Sequence, residues 1–506
     1  MHDIPDISRN YIGVVIRVVI LALSFLSCGL RVVNAASLAN YDIVIIGGRV
    51  MDPETGLDKN GMNVGINGRT IAVVTAEPIT GKTSINAAGL VVSPGFIDIL
   101  SYDPNGYGAW YKVADGVTTN LAMHGGAVEP IKWYKKFERA TPVNFGAGFF
   151  YNSARLSIGV NPYRSATTKE IERLVAKAEE ALDQGELGLG MSLEYAPGTS
   201  VDEVEAMMIV ARRFNVPIFF HVRYSTMEAP GTNIDALNEV IALAKKTGAS
   251  IHVDHINSTG GTFSMAASLG LIKKAVEDGV DITACTYPYP FWATYLNSAR
   301  FDDGWQKRFR ITYGDLQIGG TTERLTEESF ARYRKAGKLA VAYAIPEDDV
   351  TGAVSSPFVM IGSDGIMEPG NNNHPRSAGT FARALRVYVR ENKTITLMEA
   401  INKMSLMPAK RLEPASAQMR KKGRLQPGMD ADIVIFNPDT VTDTATVERP
   451  NSFSKGFEYV IVNGKIVKDP KGLRKKTRPG QGIRTERSGK SHGYEQAVAG
   501  MDEIGR

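Results

Sequence analysis

The chain is poor in the residues that most often hold metals or staple a fold. It has two cysteines, Cys28 and Cys285, and seven histidines in 506 residues. So few thiols exclude a disulfide framework and a cysteine-rich zinc module. Excess charge is also lacking. The net charge is +4, which argues against a dedicated nucleic-acid binder. Much of that excess sits in one basic run over residues 471–487, read as a solvated tail. There is no low-complexity segment and no self-similarity at solenoid periods. What remains is ordinary globular composition, 43% apolar and 22% charged, in a chain long enough for one large barrel with additions.

Long apolar runs are scarce too. Residues 18–26 form one, behind Arg9 and Arg17, and Val33-Asn34-Ala35 follows with small residues at signal-peptidase spacing. Residues 1–35 therefore read as a secretory signal peptide, giving a periplasmic or secreted protein. The run is short of the roughly 20 residues a membrane span needs, so no stable membrane insertion is expected after cleavage. Lipidation at Cys28 is the weaker reading. Cleavage after Ala35 leaves Cys285 alone, so no internal disulfide can form. N-terminal sequencing of the mature protein is expected to begin at Ala36. A start at Met1 would refute export, and a start at Cys28 would point to a lipoprotein.

Between two β-rich ends the pattern alternates helix with strand. Residues 40–93 hold β runs and an Asn67-Gly68 hairpin turn, and residues 406–484 hold another set with Asn463-Gly464. These distant segments are expected to combine into one small β-sandwich, with 485–506 as a tail. Over residues 94–405 eight candidate strands recur, several at a little over thirty residues: 96–100, 118–122, 145–150, 188–193, 218–221, 251–255, 282–287 and 358–363. The predicted fold class is α/β, a (β/α)8 TIM-like barrel. Residues 291–355 are an insertion over its mouth.

Catalytic groups of such barrels sit at the C-terminal ends of the strands. His221 ends the fifth run, His255 the sixth, and Asp364 follows the eighth. Each alone could be a hydrogen-bonded structural residue or a turn former. Together they read as a metal site with a carboxylate beside it, which is hydrolytic chemistry. His252 has opposite strand parity to His255 in a regular strand and is left outside the site.

Several motifs carry a family resemblance: "PGFID", "DGVTT", "LGLGMSLEYAPG", "VPIFFHVR", "DHINSTGG", "TYPY", "IGSDG", "HPRSAGTF" and "GRLQPGMDADIVIFNP". The chain resembles the amidohydrolase superfamily from about residue 41 to 484, and within it the N-acyl-D-amino-acid deacylases. The resemblance implies the barrel, the sandwich, a zinc-type metal and cleavage of an N-acyl amino acid, a small-molecule substrate. It assigns His221 and His255 as metal ligands, Asp364 as general base, and Arg376 as the clamp on the substrate carboxylate. Tyr287 and Tyr195 fall where the family contacts substrate.

Three departures from the family stand out. The His-x-His pair that should end the first barrel strand is replaced by Leu100 and Tyr102, with Asp103 next as at most a substitute. The cysteine ligand that follows "GVTT" is missing. His124 lies one residue off that point and can serve if a bulge brings it inward. The lysine that acidic-substrate deacylases carry after the sixth strand is Asn257, which favours neutral or hydrophobic side chains. The expected cofactor is one divalent metal, zinc by ligand preference, on His124, His221 and His255. Two alternatives stand beside this. One is a cyclic-amide or dipeptide hydrolase of the same superfamily. The other is an inactive exported homologue that grips a carboxylate.

Overall fold

The computed structural model describes residues 40–485. The predicted leader, Cys28 and nearly all of the tail lie outside the described residues. Eight parallel strands form the barrel: Phe96–Asp98, Val117–Ala127, Asn144–Phe150, Leu189–Ser192, Ile218–His221, Ile251–Val253, Ile282–Thr286 and Val359–Ile361. They fall on the eight candidate strands. The ends close on each other beyond the regular strands, where Asp364 N–H donates to the Leu100 carbonyl at 2.7 Å and Ser101 bridges Gly365 in parallel. Beneath that seam Asp98, the acid of "PGFID", is fully buried. It accepts from Ser363 N–H at 2.8 Å, Ser363 Oγ at 2.6 Å and Lys112 Nζ at 2.6 Å. A buried carboxylate needs such partners, and here they tie strand one to strand eight.

Several of the helices start where side chains cap them. Ser200 and Glu203 form a capping box at the head of helix Val201–Phe214, which ends at Asn215 in the left-handed region. Thr232 and Asp235 do the same for Asn233–Thr247. Their apolar faces pack on the outside of strands four to seven. Inside the barrel Ile97, Leu121, Met123, Phe219, Cys285 and Met360 fill the lower layers. Leu100 belongs to this apolar plug and stands where the first family ligand was missing.

The two chain ends build one continuous nine-stranded sheet, in which Ile433–Phe436 runs antiparallel to Val91–Pro94. The long strand Asn40–Asp52 pairs with Thr80–Asn86 in its first half and with Val91–Pro94 in its second. It bends between them at a bulge around Gly47 and Gly48. A Cβ at Gly48 would stand 2.5 Å from Val92 Cγ2, so the bend demands glycine. Ile45, Val64, Ile66, Ile433 and Ile461 share the resulting core.

Two boundaries differ from the expected ones. Helix Glu347–Ser355 packs against strands seven and eight as the barrel's own helix. The insertion proper is a three-stranded antiparallel sheet, Trp292–Tyr295, Leu316–Ile318 and Leu339–Ala342, with short helices. Helix Leu406–Leu412 packs on the first barrel strand, and residues 481–483 hydrogen-bond to Phe145 on the third. The C-terminal segment thus serves the barrel as well as the sheet.

Candidate active site

His124, His221 and His255 meet at the mouth of the barrel. Their ring centroids lie 4.8–5.7 Å apart, and ligand-type nitrogens from all three lie within 4.8 Å of one another. That is little more than twice a zinc–nitrogen bond of about 2.0–2.1 Å, so small ring rotations would close them round one ion.

Two of the three arrive by breaking strand regularity. In the second strand Leu121 and Met123 point inward, so His124 would face out of a regular strand. The pairing with strand three shifts between Ala122 and Ala127, and this bulge turns His124 in. Glycine makes it possible: a Cβ at Gly125 would meet Tyr102 Cδ1 at 2.4 Å, and one at Gly126 the Gly148 carbonyl at 2.1 Å. In the sixth strand Phe219 and Cys285, both interior, flank the side on which His252 and Asp254 lie. The strand then ends, and His255, at φ +26, turns its ring into the mouth. A positive φ in a histidine stores strain. The parity reasoning that set His252 aside fails here, because the strand does not stay regular. His252 is excluded by depth instead: it lies below the mouth, its Nδ1 2.7 Å from Thr283 Oγ1.

A buried carboxylate, Asp254, and a largely covered one, Glu194, orient two of the imidazoles. Glu194 Oε2 sits 2.7 Å from His221 Nε2, and Asp254 Oδ2 sits 2.9 Å from His124 Nδ1. Each carboxylate holds the proton on the nitrogen it faces and frees the other nitrogen's lone pair, as partners of metal-bound histidines do. His221 Nδ1 is buried with no partner. An orphaned imidazole nitrogen costs free energy unless something binds it, so the donor set fits a metal. Burial pushes His221 and His255 well below the ordinary histidine range, which keeps both neutral and able to ligate. Burial also opposes the charge on His124, but the hydrogen bond and charge of Asp254 win and raise it. Glu194 is itself held by Ser225 Oγ at 2.7 Å and by Arg300 Nη1 at 3.0 Å. Neither Glu194, Asp254 nor Arg300 was picked out from the sequence. Glu194 stands inside "LEYAPG" and Asp254 beside His255, so the motifs did carry a signal.

Asp364, at φ +48, hangs over the imidazoles with Oδ2 3.8 Å from His255 Nε2. Its other neighbours are Arg376 Nη2 at 2.8 Å and Tyr102 Oη at 3.1 Å. Burial raises its carboxyl, but Arg376 and the histidines outweigh that and hold it below the usual range, so it is ionised. Arg376 heads its helix because His374 Nδ1 accepts its backbone N–H at 2.9 Å. The Arg376 Nε has no partner. Tyr195 lines the cavity with its ring 4.7 Å from that of His221. Tyr287, expected to touch substrate, is fully buried outside the cavity lining. Its ring lies 4.7 Å from the Arg376 guanidinium and supports it by a cation–π contact. Asn257 is also off the cavity and donates to the Tyr287 carbonyl at 3.0 Å. Asp103 faces away, accepting from Trp133 Nε1 at 2.7 Å.

Residues 154–468 match the Amidohydrolase family model. The chain belongs to the amidohydrolase family. This amidohydrolase is 29% identical over 469 residues to an N-acyl-D-glutamate deacylase of Alcaligenes xylosoxydans xylosoxydans, covering 84% of this chain and 93% of that one. It is 28% identical to a D-aminoacylase of the same organism, covering 84% and 94%. Among solved structures it resembles the N-acyl-D-glutamate deacylase of Bordetella bronchiseptica, crystallised with zinc and a phosphonate mimic of the tetrahedral intermediate. The TM-score is 0.76 at 27% identity, with 88% of this chain and 100% of that one covered. The family and its relatives make this amidohydrolase a hydrolase of carbon–nitrogen amide bonds.

Proposed function

We propose that this amidohydrolase deacylates N-acyl-D-amino acids with neutral or hydrophobic side chains, using one divalent metal, zinc by preference, held by His124, His221 and His255. The observation that carries this is the convergence in one cavity of three imidazoles, two of them aimed by carboxylates, with an ionised Asp364 and Arg376 beside them. A bound divalent ion supplies Lewis acidity there, which makes water a nucleophile near neutral pH. Asp364 takes the proton of the attacking water on a carboxylate oxygen and returns it to the departing amine. Arg376 holds the substrate carboxylate with the N–H groups that Asp364 leaves free. Tyr102 steadies Asp364 from the position a second metal's ligand would otherwise take.

The side-chain preference rests on the lining of the cavity, since Asn257 does not reach it. The cavity measures about 320 Å³, and Phe150, Val160, Ala196, Trp292, Leu339 and Ile366 form much of its wall. Its two other arginines are already matched, Arg300 by Glu194 at 3.0 Å and Arg155 by Glu203 at 3.5 Å. An acidic side chain would have to compete with those pairs. The reading is tested by screening the metal-loaded mature protein against N-acyl D- and L-amino acids, acidic and neutral, for released amine. Turnover of L-isomers alone, or of cyclic amides alone, would overturn it.

Arg376→Lys is expected to raise KM for free acids by about tenfold or more, because a point charge replaces a planar fork. The check is KM for matched free and amidated substrates. Equal cleavage of both by the parent would remove the clamp and favour the cyclic-amide alternative.

A further inference from the structure

Arg376 and the three imidazoles fix two points of an N-acyl amino acid, its carboxylate and its scissile carbonyl. The acyl group must then leave the carbonyl on the side away from Arg376. Arg376 follows the eighth strand, and the sheet order runs unbroken from the first strand to the eighth. Round a closed barrel, the loops after strands three and four therefore lie across the mouth from it.

That far wall is apolar and runs out to solvent. Phe150, Leu156, Val160 and Pro162, after strand three, and Ala196, after strand four, line it. Leu156 is 60% exposed, and Tyr163, next in sequence to Pro162 but outside the cavity lining, 61%. Tyr163 is held in place, its hydroxyl donating to Asp302 of the insertion at 2.8 Å. Tyr295, 43% exposed, lines the same cavity from the insertion side. Most polar groups of the wall are used internally, although the buried Arg155 Nε has no partner. Asn152 exchanges hydrogen bonds with the Ser192 backbone at 2.7 and 2.9 Å, and Arg155 bonds Thr199 and the Arg164 carbonyl. The one unpartnered polar atom among these, Arg155 Nε, is fully buried and presents no surface to a polar acyl group. A contiguous apolar strip leading out of a pocket marks a binding surface, whereas scattered exposed side chains do not.

We infer that this strip is an acyl-chain subsite, and that the preferred substrates carry straight aliphatic acyl groups of hexanoyl length or longer rather than acetyl. This rests on the deacylase function proposed above. An acetyl methyl ends inside the cavity and leaves Leu156 in water. Each further methylene laid on the strip removes apolar surface from water, worth up to about fourfold in kcat/KM when fully buried.

The experiment uses the metal-loaded mature protein and the acetyl, butyryl, hexanoyl and octanoyl derivatives of D-leucine, with released amine as readout. We expect kcat/KM to rise by at least about tenfold from acetyl to octanoyl, chiefly through KM. Free octanoate should also bind more tightly than acetate by calorimetry. Leu156→Ser is expected to cost the octanoyl substrate several-fold more than the acetyl one, and Leu156→Met to restore the rise. A flat series, or acetyl as the best substrate, overturns the subsite and leaves the deacylase reading standing. Hydrolysis of no member of the series overturns both.

Discussion

Asp364→Asn is expected to fold as the parent does and to lose about 10²–10⁴-fold in kcat, the usual cost of a missing general base. The amide has the carboxylate's shape and can still accept from Tyr102, 3.1 Å away in the parent. It cannot take a proton from water, and it removes the charge that faces Arg376 at 2.8 Å. That second loss leaves a buried guanidinium short of a partner, so some fall in stability accompanies the change. The measurement is kcat beside a thermal melt of each protein. A variant within a few-fold of the parent would mean that the base lies elsewhere, and the proton-transfer assignment would fall.

His221→Ala and His255→Ala are each expected to strip the metal. A catalytic zinc uses about three protein ligands, and each change leaves two. Loss of a supporting residue alone costs 10–100-fold in metal affinity, so loss of a ligand should cost at least about 100-fold. The check is metal stoichiometry after dialysis against a weak chelator, with about one ion per parent chain expected. Tyr102→Phe should leave that stoichiometry unchanged, because the Tyr102 hydroxyl points at Asp364 and Leu100 lies in the apolar plug. Two tightly held ions per parent chain would refute the single-metal site. A parent that binds none, and gains no activity with added zinc, would hand the case to the binding-protein alternative.

Much of this molecule could be read from the amino-acid order. Most barrel strands are short, rich in apolar residues and buried on both faces, and such runs announce themselves locally. The same holds for the Asn-Gly hairpin at 463–464, whose two residues take positive φ as that turn requires. His221 and Asp364 were legible because they stand at or just beyond the ends of regular strands.

The remainder was set by how the strands close, since it depends on departures from regularity that period-two reasoning cannot see. His124 reaches the mouth through a bulge that two glycines permit, and His255 through a strained φ. Counted along a regular strand, either would face outward. Glu194 and Arg300 are 106 residues apart, and no local pattern joins them. Barrel closure and the insertion bring them together on His221, because a buried charge must find its partner wherever the fold delivers one. Tyr287 shows the converse. Its motif suggested contact with substrate, yet packing places its ring against the Arg376 guanidinium, outside the cavity lining.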